Sequence, residues 1–294
     1  MDIELVNKIK RLTIIALASD DELVESLVLK GGNAIDLTAH LDEDFMSRTS
    51  YDLDYSIQNG DFVEEPSIIS KRIEATLSQT FRENGYKVID FRFLIKPKES
   101  NAETAVFWGG YKVEFKIIDY ESYADNIKNI ENQRRFSIPV NPNNSTKFEL
   151  EFSKYEFIGQ KDLVRVDGYK IYVYTPMMIA FEKLRAICQQ IPEYKIHVPS
   201  FSPRARARDF YDIFLMMDMH LIEPSTIENI DLIKNIFYSK RVPVEFIKKI
   251  RNSRAFHLDN WQSVVDTISY KKHLKDFDYY FEYVLERFEA LTFH

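Results

Sequence analysis

The sequence holds one cysteine, Cys188, among 294 residues, so neither an intrachain disulfide nor a cysteine-based zinc site can form. Its 8 glycines and 10 prolines are too few for a fibrous or low-complexity chain. Positive charge is not in surplus. The formal net charge of −7 excludes a surface coated with Lys and Arg for generic nucleic-acid binding, and a polyanionic partner must instead meet a local basic patch. No apolar run is long enough to span a bilayer. Residues 1–12 are charged and amphipathic and lack the apolar segment of a secretory signal, so a cytoplasmic location without membrane contact is expected. The six histidines form no ligand-spaced pair, and neither a Ser-His-Asp pattern nor a Walker loop is present.

What the chain does have is apolar mass. With 45% hydrophobic residues, 22 Phe and 17 Tyr, it can fill one large core or two modest ones, given roughly 100–200 residues per domain. Helical spacing marks residues 3–18, 34–41 and 68–84, the last closed by Gly85. A short apolar run marks a strand at 26–29, and further β signal marks strands at 51–57, 87–96, 105–118 and 147–157, with a turn inside the fourth at Gly109-Gly110. Residues 163–166 and 170–174 flank Asp167-Gly168, a strong hairpin signal. At Thr175-Pro176, an N-cap followed by a first-turn proline, the texture turns helical. Helices are predicted at 176–191, 204–219, 225–237, 243–252, 259–269 and 273–291. The expected fold class is α+β, with a mixed domain over 1–175 and a helical C-terminal domain over 176–294.

The most informative segment is Tyr51-Asp52-Leu53-Asp54-Tyr55. Period two puts Asp52 and Asp54 on one face of a strand, about 7 Å apart, where both can reach one divalent cation. A solvated edge strand would give the same pattern, so context decides. Upstream, Val28-Leu29-Lys30 runs into Gly31-Gly32-Asn33, a strand-to-helix turn whose backbone can approach phosphate oxygens. Clamping two metals needs a third carboxylate, and Glu114 on the alternating 111–118 segment is the candidate. Lys183 flanks the apolar stripe of helix 176–191 and is placed to reach a phosphate at a domain seam. Asp209 flanks the stripe of helix 204–219, while Asp212 is expected to point further out. Arg204, Arg206 and Arg208 crowd the start of that helix against the preference of its dipole, which points to an anion.

These segments together resemble the AbiEii/AbiGii toxin family of nucleotidyltransferases. Leu29-Lys30-Gly31-Gly32-Asn33-Ala34-Ile35 with Arg48-Thr49-Ser50-Tyr51-Asp52-Leu53-Asp54-Tyr55 is similar to its first motif. Ala180 to Ala186 and Arg204 to Ile213 are similar to its downstream Lys and Arg-Asp motifs. Asn33 departs from the family's usual Ser or Thr. The resemblance implies a polymerase-β-type nucleotidyltransferase core with a mixed sheet, followed by a helical domain. It implies Mg²⁺ (or Mn²⁺) on Asp52 and Asp54, and catalytic or nucleotide-contacting roles for Lys183 and Asp209. It also implies the toxin of a bacterial toxin–antitoxin or phage-defence system, with a cognate antitoxin. Such a toxin moves a nucleotide from an NTP to an RNA acceptor, a tRNA in some members. Gly31, Gly32, Asn33 and Lys183 are then expected at the nucleotide, and Arg204, Arg206 and Arg208 at the RNA. Glu114 matches no family motif. The alternatives are transfer to a small molecule such as an antibiotic, or NTP binding without turnover.

Overall fold

Alternating apolar residues build a seven-stranded mixed sheet in the computed structural model, which describes residues 2–38, 50–98, 102–141, 143–268 and 271–293. The strands are β1 (Leu27–Lys30), β2 (Leu53–Ile57), β3 (Tyr86–Lys96), β4 (Gly110–Asp119), β5 (Phe148–Ser153), β6 (Lys161–Val166) and β7 (Tyr169–Tyr174), in the order β3-β4-β5-β2-β1-β7-β6. At the centre β2 runs antiparallel to β1 and parallel to β5, while β7 runs parallel to β1. Antiparallel pairs close both edges, β3 with β4 and β6 with β7. The β6–β7 hairpin turns on Asp167 and Gly168, both at positive φ (50° and 87°), the conformation a two-residue turn of matching twist requires.

The register fixes the chemistry. Directly paired residues share a face of a sheet. Asp54 stands between Lys30 on β1 and Glu151 on β5, and β5 pairs Glu151 with Lys112 and Glu149 with Glu114 on β4. One face of the central strands therefore carries a band of acids and lysines. The other presents Leu53, Tyr55, Leu150 and Phe152 to the core, all nearly inaccessible to water. Helices Ile3–Ala18 and Pro66–Glu83 pack on each other, and the second also packs on β3.

Past Tyr174 the sheet ends. Thr175 accepts from the Met178 N–H and Pro176 opens the helix Pro176–Cys188. That helix packs on Ala207–Met219, which in turn meets Phe277–Phe288; Ile227–Ser239 packs on Pro176–Cys188. One connected apolar core runs from Ile9 to Leu291 and includes residues on both sides of position 175. No helix among the described residues is long and apolar enough to cross a membrane.

Several expected boundaries move. The helix expected from 204 begins at Ala207, because Arg206 keeps a non-helical backbone as its cap. The helix expected from Ala34 starts at Gly31 itself and closes at Thr38; Leu41, Arg48 and Thr49 lie outside the described residues. The stretch 259–269 is not one helix: Arg254–Leu258 and Trp261–Val265 flank a break at Asp259 and Asn260. Two short helices not anticipated, Tyr120–Asp125 and Ile130–Arg135, each open on a side-chain cap, Asp119 and Asn129.

Candidate active site

Asp52 sits just before β2 and Asp54 on it, and β5 brings Glu151 directly beside Asp54. Desolvation, then repulsion from Asp54, Glu149 and Glu151, pushes the Asp52 carboxyl up to about 6, with Arg208 opposing. Burial and the neighbouring Asp54 likewise raise Glu151. Among the described residues no Lys or Arg forms an ion pair with these three acids. Their neighbours on the same face differ. Glu149 meets Lys112 at 2.7 Å and Lys147 at 2.8 Å; Glu114 meets Lys147 at 3.1 Å and Lys112 at 3.4 Å. Glu114 thus lies on the far side of β5 from β2, held by lysines, and the acid next to Asp54 is Glu151.

The turn before these acids is built for close approach. Gly31 has φ +70°, and a Cβ there would stand 3.0 Å from Asp54 Oδ2. Only glycine combines that backbone with that clearance. Asn33 is buried, and its Nδ2 donates to the Asp52 carbonyl at 2.6 Å. That bond ties the Asn33 amide to the Asp52 backbone. Lys30, at the end of β1, donates to Glu156 at 2.6 Å and Ser153 Oγ at 3.0 Å.

Across the face stands a second charged group. Lys183 is buried, 2.7 Å from Asp212 and 3.1 Å from Asp209. Asp212, expected to point outward, is instead only 1% exposed: the ammonium draws it in. Asp209 also accepts from Arg206 at 2.8 Å, and Arg208 lies 3.8 Å away. Burial pushes the Asp209 carboxyl up, but Lys183, Arg206 and Arg208 outweigh it and hold it far below the usual carboxylate range. Arg204 and Arg208 are exposed, whereas Arg206 is partly covered and fixed on Asp209. Asp54, Glu151, Lys183 and Asp209 face a common cavity of about 720 Å³, which Arg204, Arg206 and Arg208 also line. A second groove, about 590 Å³, opens at Asp52 and Glu149.

This donor set fits a divalent cation. Three carboxylates share one face, repel one another and, among the described residues, have no cationic side chain bound to them, a combination that a metal ion relieves. They form an open row and not a finished cage: among the described residues no three His, Cys, Asp or Glu side chains close to metal-binding distance.

A family model described as the nucleotidyl transferase AbiEii toxin of type IV toxin–antitoxin systems matches residues 14–287. The chain belongs to that family. Two crystal structures show distant likeness. JHP933 from Helicobacter pylori is 16% identical, over 96% of this chain and 88% of that one, with a TM-score of 0.44. An antigenic nucleotidyltransferase-like protein from Paracoccidioides brasiliensis is 15% identical, over 79% of this chain and 89% of that one, with a TM-score of 0.39. No curated protein matches.

In this AbiEii-family chain the α+β fold is the one its sequence pattern predicts, a mixed sheet followed by helices. Asp54 shares a cavity with the Gly31 turn, Lys183 and Asp209 meet as a buried pair on that cavity, and Asp52 opens on the second groove. Glu151 is the residue that reading the sequence missed. Its signal was present: Glu149-Leu150-Glu151 repeats the acid-apolar-acid pattern of Asp52-Leu53-Asp54. Strand order, which no local pattern reveals, is what brings the two together.

Proposed function

We propose that this chain is a metal-dependent nucleotidyltransferase that transfers a nucleotide from an NTP to an RNA acceptor, a tRNA, and acts as a toxin restrained by a cognate antitoxin. One observation carries the reading: Asp54 and Glu151, which form no ion pair among the described residues, share a cavity with the Gly31 turn and the Lys183–Asp209 pair, and Asp52 stands two residues before Asp54 on an acidic groove of its own.

Asp52, Asp54 and Glu151 would hold Mg²⁺ or Mn²⁺. When bound there, the ion acidifies the acceptor hydroxyl and neutralises charge on the triphosphate. The chain's residues do the positioning. The Gly31-Gly32 backbone lets the α-phosphate come close to Asp54. Lys183, anchored by two carboxylates, keeps a third N–H for a phosphate oxygen. The acceptor oxygen attacks the α-phosphorus as the bond to the pyrophosphate oxygen breaks, so one P–O bond forms for each one lost. Arg206 is committed to Asp209, which leaves Arg204 and Arg208 at the rim for phosphates of the RNA strand.

The test is incubation of the protein with Mg²⁺, each NTP labelled at the α-phosphate, and total RNA. Label enters RNA under the proposal. Label entering only small hydroxylated compounds would favour an acceptor such as an antibiotic.

A further inference from the structure

The cavity beside the carboxylates has both charged and aromatic lining, and the reaction proposed above uses only the charged part. Arg204, Arg206 and Arg208 suit phosphates. Trp108, Phe201 and Val198 give the same cavity an aromatic and apolar wall. Trp108 and Phe201 meet edge to face, with ring centroids 6.3 Å apart and planes at 89°. Both lean on Tyr194, at 6.4 and 5.3 Å. Tyr194 is completely buried and donates to the Lys240 carbonyl at 2.7 Å, so it is the structural back wall. Trp108 and Phe201 are not: each is only half-buried, and each lines the cavity.

The aromatic wall is also held in place. Lys240 Nζ donates to the carbonyl of Lys154 at 2.5 Å and to that of Phe107 at 3.5 Å, and lies 5.8 Å from the Trp108 ring centroid. Gly109 and Gly110 follow Trp108, and Gly110 pairs with Ser153, two residues along β5 from Glu151. That spacing puts Trp108 roughly 10–15 Å from Glu151 along the sheet. Gln189 lines the same cavity. Gln189 Oε1 accepts from Arg185, which is itself clamped by Glu182. The Gln189 amide thus presents its Nε2 as a donor, without a partner among the described residues.

A flat heteroaromatic ring with polar edges fits this wall, because faces of Trp and Phe stack on any base and one fixed donor reads its edge. We infer that Trp108 and Phe201 form the nucleobase subsite of the cavity, with Gln189 as its polar contact. The inference rests on the reading of the cavity as an NTP site and adds where the base lies.

The experiment is calorimetric titration of the full chain, with Mg²⁺, against each of the four NTPs and against inorganic tripolyphosphate, which has no base. Trp108→Ala and Phe201→Ala are each expected to lower the ratio of NTP to tripolyphosphate affinity by about tenfold or more. Using the ratio cancels any loss of folded protein. Gln189→Ala is expected to change the order in which the four NTPs bind; an unchanged order removes Gln189 from the subsite. A ratio unchanged in both aromatic variants, with NTP binding intact, overturns the subsite while leaving the proposed function standing. Failure of the unmodified chain to bind any NTP overturns both.

Discussion

At Gly31 the backbone takes φ +70° beneath the Asp54 carboxylate, so any Cβ meets both a disfavoured conformation and a crowded oxygen. Gly31→Ala is expected to cost about 1–2 kcal/mol of stability from the backbone alone. It should cost more in activity, because Asp54 must move aside. A melting curve beside a transfer assay separates the two losses. Asp52→Asn and Asp54→Asn are expected to reduce transfer by at least about 100-fold, more than loss of a supporting contact around a metal would. Asp52→Asn should leave the metal-free protein as stable or slightly more so at neutral pH, by about 1 kcal/mol or less for so accessible a group. The sign follows from the raised carboxyl: charging Asp52 above about 6 costs the folded state. Full activity in either variant would remove these acids from the site. Residue-scale chemistry of this kind was legible in the sequence where it was local. Asp52, Asp54 and Gly31 lie within 24 positions of one another, and turn and alternation define them. Glu151 was not legible as their partner, because it joins them only through the parallel pairing of β2 with β5.

Between elements, the helices Pro176–Cys188 and Ala207–Met219 are locked by Lys183 set between Asp209 and Asp212. Apolar stripes predicted both helices, but the ion pair between them could not be read from spacing. Asp212 looked like a surface acid because its burial depends on a lysine from the other helix. Removing the lysine takes a buried ammonium from two buried carboxylates, of which Asp209 keeps Arg206, so Lys183→Ala is expected to destabilise by about 3 kcal/mol. Urea unfolding measures this. A change below about 1 kcal/mol would mean that Lys183 is free for a ligand and not committed to the fold. The same lock sets a pH dependence. Asp209 is held below its ordinary value, so its contribution is fully present above about pH 3.9, the usual carboxylate value. It is lost as pH falls through the folded value. Stability should decline on acidification below about pH 4, and Lys183→Ala should flatten that decline. An equally steep decline in the variant would show that other acids govern it.

For the molecule as a whole, a net charge of −7 means that any affinity for RNA is local. The basic rim supplies two exposed arginines, Arg204 and Arg208, since Arg206 is bound to Asp209. If each meets one RNA phosphate, Arg204→Gln with Arg208→Gln should lower the log–log salt slope of RNA binding by roughly 1.4, at about 0.7 per charge. An unchanged slope would place the RNA elsewhere. The central claim is that Asp52, Asp54 and Glu151 hold the metal for nucleotidyl transfer while Glu114 belongs to a lysine-neutralised cluster. It is tested most directly by comparing Glu151→Gln with Glu114→Gln in RNA labelling from α-labelled NTP with Mg²⁺. The account predicts that label enters RNA with the unmodified chain and with Glu114→Gln, and that Glu151→Gln abolishes it. Labelling that survives Glu151→Gln but is lost with Glu114→Gln, or no labelling of RNA from any NTP, would contradict it.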